Sequence, residues 1–291
     1  MGMCGEVSRS RARNPLVKTL GEIRSGLMRR RVPYCALLPA DYESSRESYP
    51  VLYLLHGLFG RHDDWVERTD LVREAAGLKL IVVMPEGGDG WYTDGATVPN
   101  DRYESHLVRE LLPEIDNQYR TIGERRGRAI AGLSMGGYGA FKAALKRPGL
   151  FALAASFSGV FDPASRCDRE PGFDWESLRP SILRAFGNMG SRVRVENDLY
   201  RIVDEIAAEQ IPGLPRLYFN CGTEDGFLHA NLELRAALSA RGIAHRFELI
   251  AGGHDWDYWG KRVRPLLSLV SEVLSPAAGG WVVSKPRRLT L

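Results

Sequence analysis

The sequence predicts an α/β fold with a mostly parallel central sheet covered by helices on both faces, and three observations carry that expectation. Short, continuous apolar runs such as Val51–Leu55 and Leu80–Met84 read as strands buried on both sides. Longer segments with helical periodicity, such as Ser105–Tyr119 and Arg262–Leu274, alternate with them. That β-α alternation favours parallel pairing through crossover helices.

In chain order, residues 1–15 form an N-terminal extension, and one domain is expected over 16–275. Leu16–Ser25 and Arg31–Leu38, with Gly26 between them, have the composition of an antiparallel hairpin. Val51–Leu55, bounded by Pro50 and Gly57, starts the parallel pattern. Arg128–Gly132 reads as a strand, Gly137–Lys146 as a helix and Phe151–Phe157 as the next strand. Residues 162–214 break the rhythm with Pro163, Pro171, Gly172 and Pro180 ahead of a helix at Asn197–Glu209, so a small lid-like insertion over the sheet's carboxyl edge is expected there. Arg216–Asn220 and Arg246–Ile250 are the last strands, followed respectively by helices at Asn231–Ala240 and Arg262–Leu274. Residues 276–291, with Gly279, Gly280 and Pro286, form a tail.

Composition narrows the function classes. The 291 residues are 44% hydrophobic and 26% charged, which suits a globular protein with a large core. Lys and Arg number 39 against 36 Asp and Glu, and a net charge of +3 gives no reason to expect a nucleic-acid partner. The run Arg29-Arg30-Arg31 lacks interleaved aromatics and reads as a solvated hairpin turn. Cys4, Cys35, Cys167 and Cys221 are widely spaced, with neither a C-x-x-C pair nor metal-ligand spacing, and read as ordinary thiols. Residues 1–20 hold no apolar signal core, and no run reaches the roughly 18 apolar residues of a membrane span. Glu6 stands where an N-myristoylation motif needs a hydroxyl. A cytoplasmic protein without a membrane partner is therefore expected, with a homo-oligomer left open.

Chemistry concentrates in Gly132-Leu133-Ser134-Met135-Gly136, a G-x-S-x-G pentapeptide. This turn lifts a serine hydroxyl above a sheet edge, because its glycines allow strand and helix to approach closely. Its context fits, since a strand precedes it and a small-residue helix follows. The base is sought among His56, His62, His106, His229, His245 and His254. His254 follows the final strand through Ala251-Gly252-Gly253, a loop able to return an imidazole to the carboxyl edge. His106 and His229 sit on helices, and His245 precedes a strand at the opposite end. The acid should lie between serine and histidine in the chain order of the α/β-hydrolase fold. Asp225, just after Arg216–Asn220, is preferred, with Glu224 and the more distant Asp162 as rivals.

Acyl transfer also needs donors for a developing oxyanion. The backbone N–H of Met135 supplies one, and His56-Gly57-Leu58-Phe59-Gly60 after the Val51–Leu55 strand offers another at Leu58, leaving His56 a structural role. Trp91-Tyr92-Thr93-Asp94, together with Trp256, Tyr258 and Trp259, places aromatics at the same edge. Trp91, Tyr92 and Trp256 are candidate walls of a substrate pocket, and a plain core role suits them equally.

These residues together resemble the esterase family that takes in bacterial tributyrin esterases, esterase D-type S-formylglutathione hydrolases, enterochelin and feruloyl esterases, and mycolyltransferases. The similarity runs from about Gly21 to Leu274 and rests on Leu54-Leu55-His56-Gly57, Gly90-Trp91-Tyr92-Thr93-Asp94, Ala131 to Gly137, Gly222-Thr223-Glu224-Asp225 and Gly253-His254-Asp255-Trp256. Trp91 to Asp94 and Asp255-Trp256 are most similar to the small tributyrin-type esterases. The resemblance implies a triad of Ser134, Asp225 and His254, with oxyanion donors at Leu58 and Met135. A serine esterase acting on a small-molecule ester, without metal or organic cofactor, is the expectation. An acyltransferase on the same triad and a catalytically silent binding protein are its rivals.

Overall fold

The apolar runs become strands of one sheet in the computed structural model, which describes residues 16–165 and 175–274. In chain order the strands are β1 Val17–Ser25, β2 Arg30–Leu38, β3 Val51–Leu55, β4 Ile81–Pro85, β5 Arg128–Leu133, β6 Leu153–Phe157, β7 Arg216–Gly222 and β8 His245–Ile250. Their spatial order is β1-β2-β4-β3-β5-β6-β7-β8. β1 and β2 form the expected antiparallel hairpin and β2 pairs antiparallel with β4, while every pairing from β4 to β8 is parallel.

The helices are α1 Asp64–Arg68, α2 Leu71–Ala75, α3 Tyr103–His106, α4 Leu112–Gln118, α5 Met135–Lys146, α6 Trp175–Phe186, α7 Arg192–Asn197, α8 Leu199–Glu205, α9 Leu228–Ala240, α10 Trp256–Gly260 and α11 Val263–Leu274. They split between two core layers, which explains why the central strands are apolar at every position. Val51, Tyr53 and Leu55 of β3 face Ile115, Tyr138 and Phe141 of α4 and α5. Leu52 and Leu54 of the same strand belong to the other layer, with Trp65, Leu71, Leu266 and Val270 of α1, α2 and α11. Each such buried side chain contributes about 1.5–3 kcal/mol of hydrophobic stabilisation. No helix among the described residues is long and apolar enough to cross a membrane.

Two local expectations are corrected. The helix expected at Ser105–Tyr119 starts at Tyr103 and carries one π turn, Leu107–Leu111, between α3 and α4. Pro113 has no N–H to donate and its ring crowds the carbonyl four residues back, so the turn widens there. The helix expected at Asn197–Glu209 is the shorter α8, followed by a 3₁₀ segment at Ala208–Gly213. Asp198 caps its start, its Oδ1 accepting Tyr200 N–H at 3.0 Å, and it stops early at Ile206, whose backbone is extended. The arginine run lies at the hairpin turn with all three side chains exposed, as expected, Arg30 donating to Tyr103 Oη at 2.7 Å and Arg31 pairing with Glu22 at 3.1 Å. Cys35 and Cys221 are buried free thiols, whereas Cys4, Cys167, the N-terminal extension and the tail lie outside the described residues.

A buried ion cluster fastens α5 to its surroundings. Lys142, fully buried, donates to Asn197 Oδ1 at 3.0 Å and to Thr93 Oγ1, and lies 3.1 Å from Glu104 Oε2. Lys146 and Arg147 reach Glu104 Oε1 at 3.0 and 2.7 Å. Burial pushes the Lys142 amine down to about 8, against the pull of Glu104. Burial alone would raise the Glu104 carboxyl, but Lys142, Lys146 and Arg147 outweigh it and hold it well below the usual carboxylate range. A carboxylate so lowered stabilises the fold above its unfolded value and loses that contribution as pH falls through the folded one. Glu104→Gln is therefore expected to cost about 3 kcal/mol at pH 7, as for a broken buried pair. The deficit relative to wild type should shrink as pH drops below 4.5, the unfolded value. Denaturant unfolding across pH checks this, and a deficit that does not change with pH would contradict it.

Candidate active site

β5 delivers Ser134 into a sharp turn ahead of α5. Its backbone has φ 52° and ψ −120°, a left-handed conformation that costs a non-glycine residue on the order of 1–3 kcal/mol. The neighbouring strand holds it there: Ser134 N–H donates to Phe157 O at 2.9 Å, and Val160 N–H donates to Ser134 O at 3.3 Å. The flanking glycines are needed for close approach. A Cβ on Gly132 would lie 2.5 Å from Gly136 backbone, and one on Gly136 would lie 2.6 Å from the carbonyl oxygens of Leu55 and His56.

The other two side chains arrive from the ends of β7 and β8, whose loops are stitched together. Thr223 N–H donates to Ile250 O at 2.9 Å and Glu224 N–H to Gly252 O at 3.0 Å. His254 Nε2 lies 3.0 Å from Ser134 Oγ, and its Nδ1 lies 3.1 and 3.0 Å from the two carboxylate oxygens of Asp225. With the Nδ1 proton donated to Asp225, Nε2 presents its lone pair to the serine hydroxyl. Asp225 also accepts Phe227 N–H at 2.8 Å. Burial alone would raise the Asp225 carboxyl, yet His254 and the Phe227 amide outweigh it and hold it below its ordinary value. Glu224, the rival acid, is exposed, and Asp162 follows β6 on a different loop. Phe227 and Trp259 pack on the His254 ring with centroids 4.8 and 4.9 Å away.

Ser134 and His254 open into a cavity of about 260 Å³ whose wall includes Leu58, Phe59, Trp91, Val160, Leu178, Phe227, Trp256 and Trp259. Met135 begins α5, so its N–H belongs to the first turn, which has no intrahelical acceptor. Leu58 lies in the turn closed by Gly60 N–H to Gly57 O at 3.1 Å. Of the aromatics expected to line a pocket, Trp91 and Trp256 do, and Trp91 also donates to Ser181 Oγ on α6 at 3.0 Å. Tyr92 does not: it is buried against Gly139, where a Cβ would meet its ring at 2.6 Å, and its hydroxyl donates to His56 O at 3.1 Å. Tyr258 is likewise interior, donating to Asn220 Oδ1 at 2.8 Å.

The remaining histidines are engaged elsewhere. His56 is buried between Gly57 O and Gly87 N, His62 meets Glu86 at 3.0 Å, and His106 is buried beside Glu110 at 2.7 Å. His229 pairs with Glu233 on the exposed face of α9, and His245 opens β8 at the amino end of the sheet. Sequence reasoning missed Asp64 and Arg68 of α1, Val160, Leu178 and Phe227 as cavity residues. No local motif marks them, because each reaches the cavity only through tertiary packing.

The family described as "Putative esterase" matches residues 25–267. The chain belongs to this esterase family. Esterase Rv1288 of Mycobacterium tuberculosis strain H37Rv is 37% identical over 240 residues, 75% of the chain and 51% of that protein. The chain thus spans about half the length of this curated relative. The acetyl esterase of Caldicellulosiruptor saccharolyticus is 27% identical over 259 residues, 86% of the chain and 96% of that protein. Among solved structures, the Staphylococcus aureus fluorophosphonate-binding serine hydrolase FphF superimposes with a TM-score of 0.77 at 26% identity, covering 88% of the chain and 98% of that structure. The sheet order of this esterase-family chain is accordingly that of an α/β-hydrolase fold with a mostly parallel sheet.

Backbone crowding at the serine turn makes it sensitive to single methyl groups. Gly136→Ala should lower thermal stability by several kcal/mol, above the roughly 1–3 kcal/mol of ordinary overpacking, because the clash is with two fixed carbonyls. Gly149→Ala, with open space around it, should change stability little. Paired thermal melts test this, and equal melting temperatures for both variants would contradict it.

Proposed function

We propose that this chain hydrolyses carboxylic esters of small acyl groups through an acyl-enzyme on Ser134. The observation that carries the reading is the continuous contact Ser134 Oγ to His254 Nε2 to Asp225, with each link near 3 Å. His254 removes the hydroxyl proton as Ser134 Oγ attacks the ester carbonyl, and the imidazolium then returns that proton to the departing alcohol. Water attacks the resulting acyl-enzyme with His254 again as base, releasing the acid and restoring Ser134. The amides of Leu58 and Met135 take the negative oxygen of both tetrahedral intermediates. No step needs a metal or organic cofactor.

Substrate size follows from the cavity. Its volume of about 260 Å³ lies at the small end for ligand sites, and its aromatic and aliphatic wall suits a short acyl chain. Trp91 and Trp256 serve as two of those walls. The described part of the 162–214 insertion acts as the cover, since α6 contributes Leu178 to the wall and Ser181 as the acceptor that fixes Trp91. Residues 16–275 work as one catalytic unit. The likeness to a fluorophosphonate-binding serine hydrolase and to an acetyl esterase agrees with a serine nucleophile and a small acyl group.

Kinetics on p-nitrophenyl esters test the reading. Ser134→Ala should lose on the order of 10⁴- to 10⁶-fold in kcat with its melting temperature preserved. Asp225→Asn should lose about 10⁴-fold, through the wrong imidazole tautomer. A Ser134→Ala variant that keeps most of the wild-type rate would overturn the proposal. Across wild-type substrates, kcat/KM should be highest for acetyl to butyryl esters and fall for decanoyl; a rise with chain length would contradict the small-acyl assignment.

A further inference from the structure

His56 sits directly behind the peptide that the proposed mechanism uses as an oxyanion donor. The ring is 1% exposed, yet both of its nitrogens are engaged. Nδ1 lies 2.7 Å from Gly57 O, and the Gly87 N–H points at Nε2 from 2.8 Å. An N–H aimed at Nε2 requires a lone pair there, so the ring proton is on Nδ1 and is donated to Gly57 O. Glu86 Oε1, 3.3 Å from Nε2, could meet a second ring proton only at the expense of the Gly87 contact.

Gly57 O and the Leu58 N–H belong to one peptide unit. That unit is planar and trans, since the described chain has no cis peptide, so its carbonyl and N–H point in opposite directions. Whatever fixes the carbonyl fixes the N–H. Two donors hold it: His56 Nδ1 at 2.7 Å and the Gly60 amide at 3.1 Å. The ring is itself wedged by Tyr92, whose centroid is 6.0 Å away and whose hydroxyl donates to His56 O at 3.1 Å. Gly57, Leu58 and Ser134 border the same cavity, and a Cβ on Gly57 would come within 3.4 Å of Ser134 Cβ.

We infer that His56 is a positioning residue for the oxyanion site: as the neutral Nδ1–H tautomer it locks the Gly57–Leu58 peptide so that the Leu58 N–H faces the oxygen that becomes negative on attack by Ser134. The inference rests on the esterase reading above and adds a residue to it. The lock supplies orientation made before the reaction, so its loss is felt when charge develops and far less when substrate binds.

Two measurements test it. His56→Leu should lower kcat about 10- to 100-fold, less than the 10²- to 10³-fold for deleting a donor outright because the Gly60 amide still holds the carbonyl, while KM stays within about threefold. His56→Asn places an amide N–H near the position of Nδ1 and should recover at least about tenfold of the loss. Nitrogen-15 NMR of the wild-type protein near neutral pH, with the His56 signals assigned by their disappearance in His56→Asn, should show a protonated Nδ1 and an unprotonated Nε2. That measurement stands even where His56→Leu does not fold. A folded His56→Leu with wild-type kcat, an equal loss in the Asn and Leu variants, or a proton on Nε2 would each overturn the inference. If wild type hydrolyses esters and Ser134→Ala does not, such a result removes the role of His56 alone. If wild type is inert, the esterase reading fails and this inference falls with it.

Discussion

One backbone conformation governs the rest of the structure: Ser134 at φ 52°, squeezed between the end of β5 and the start of α5. An isolated peptide would relax out of it, so the surrounding fold must supply the few kcal/mol needed to keep it. It does so by hydrogen bonding the serine backbone to the β6 end and by burying β5 and α5 in the two core layers. The absence of side chains at Gly132 and Gly136 lets helix and strand approach to the required distance. Every later geometric feature of the site, including the 3.0 Å contact with His254, is measured from where this turn places the hydroxyl.

Charge is distributed to match. Asp225 is buried with its carboxylate bonded to His254 and the Phe227 amide, and it is held below its ordinary value chiefly by His254. A second buried carboxylate, Glu104, faces three cations and has no route to the cavity wall. It anchors Lys142, whose amine in turn bonds Thr93 and Asn197 and so links α5 to the Thr93 loop and α7. Two depressed carboxylates in one molecule thus have different work, and the neighbours of each tell them apart.

Much of this was legible in the sequence because it is written locally. Val51–Leu55 is apolar at every position, which only a strand covered on both faces explains, and the structure reproduces it residue for residue. The serine turn announces itself through its glycines, and His254 through a flexible loop after the last strand. Tyr92 misled because a loop aromatic near a strand end has the same local signature whether it faces substrate or core; the space vacated by Gly139 decides. Leu178, Phe227 and Arg68 were invisible for the opposite reason, since they become cavity residues only when α6, the β7–α9 turn and α1 converge. The π turn before Pro113 and the early stop of α8 at Ile206 were missed as well, because periodicity registers a helical face but not a local change in its winding.

The most direct measurement of the central claim is peptide mapping by mass spectrometry after treatment with a fluorophosphonate. An activated serine in contact with an oriented imidazole predicts one phosphonyl adduct per chain, on Ser134, formed only by the folded protein. An unmodified Ser134 in folded protein, or an adduct carried by a different residue, would contradict the account.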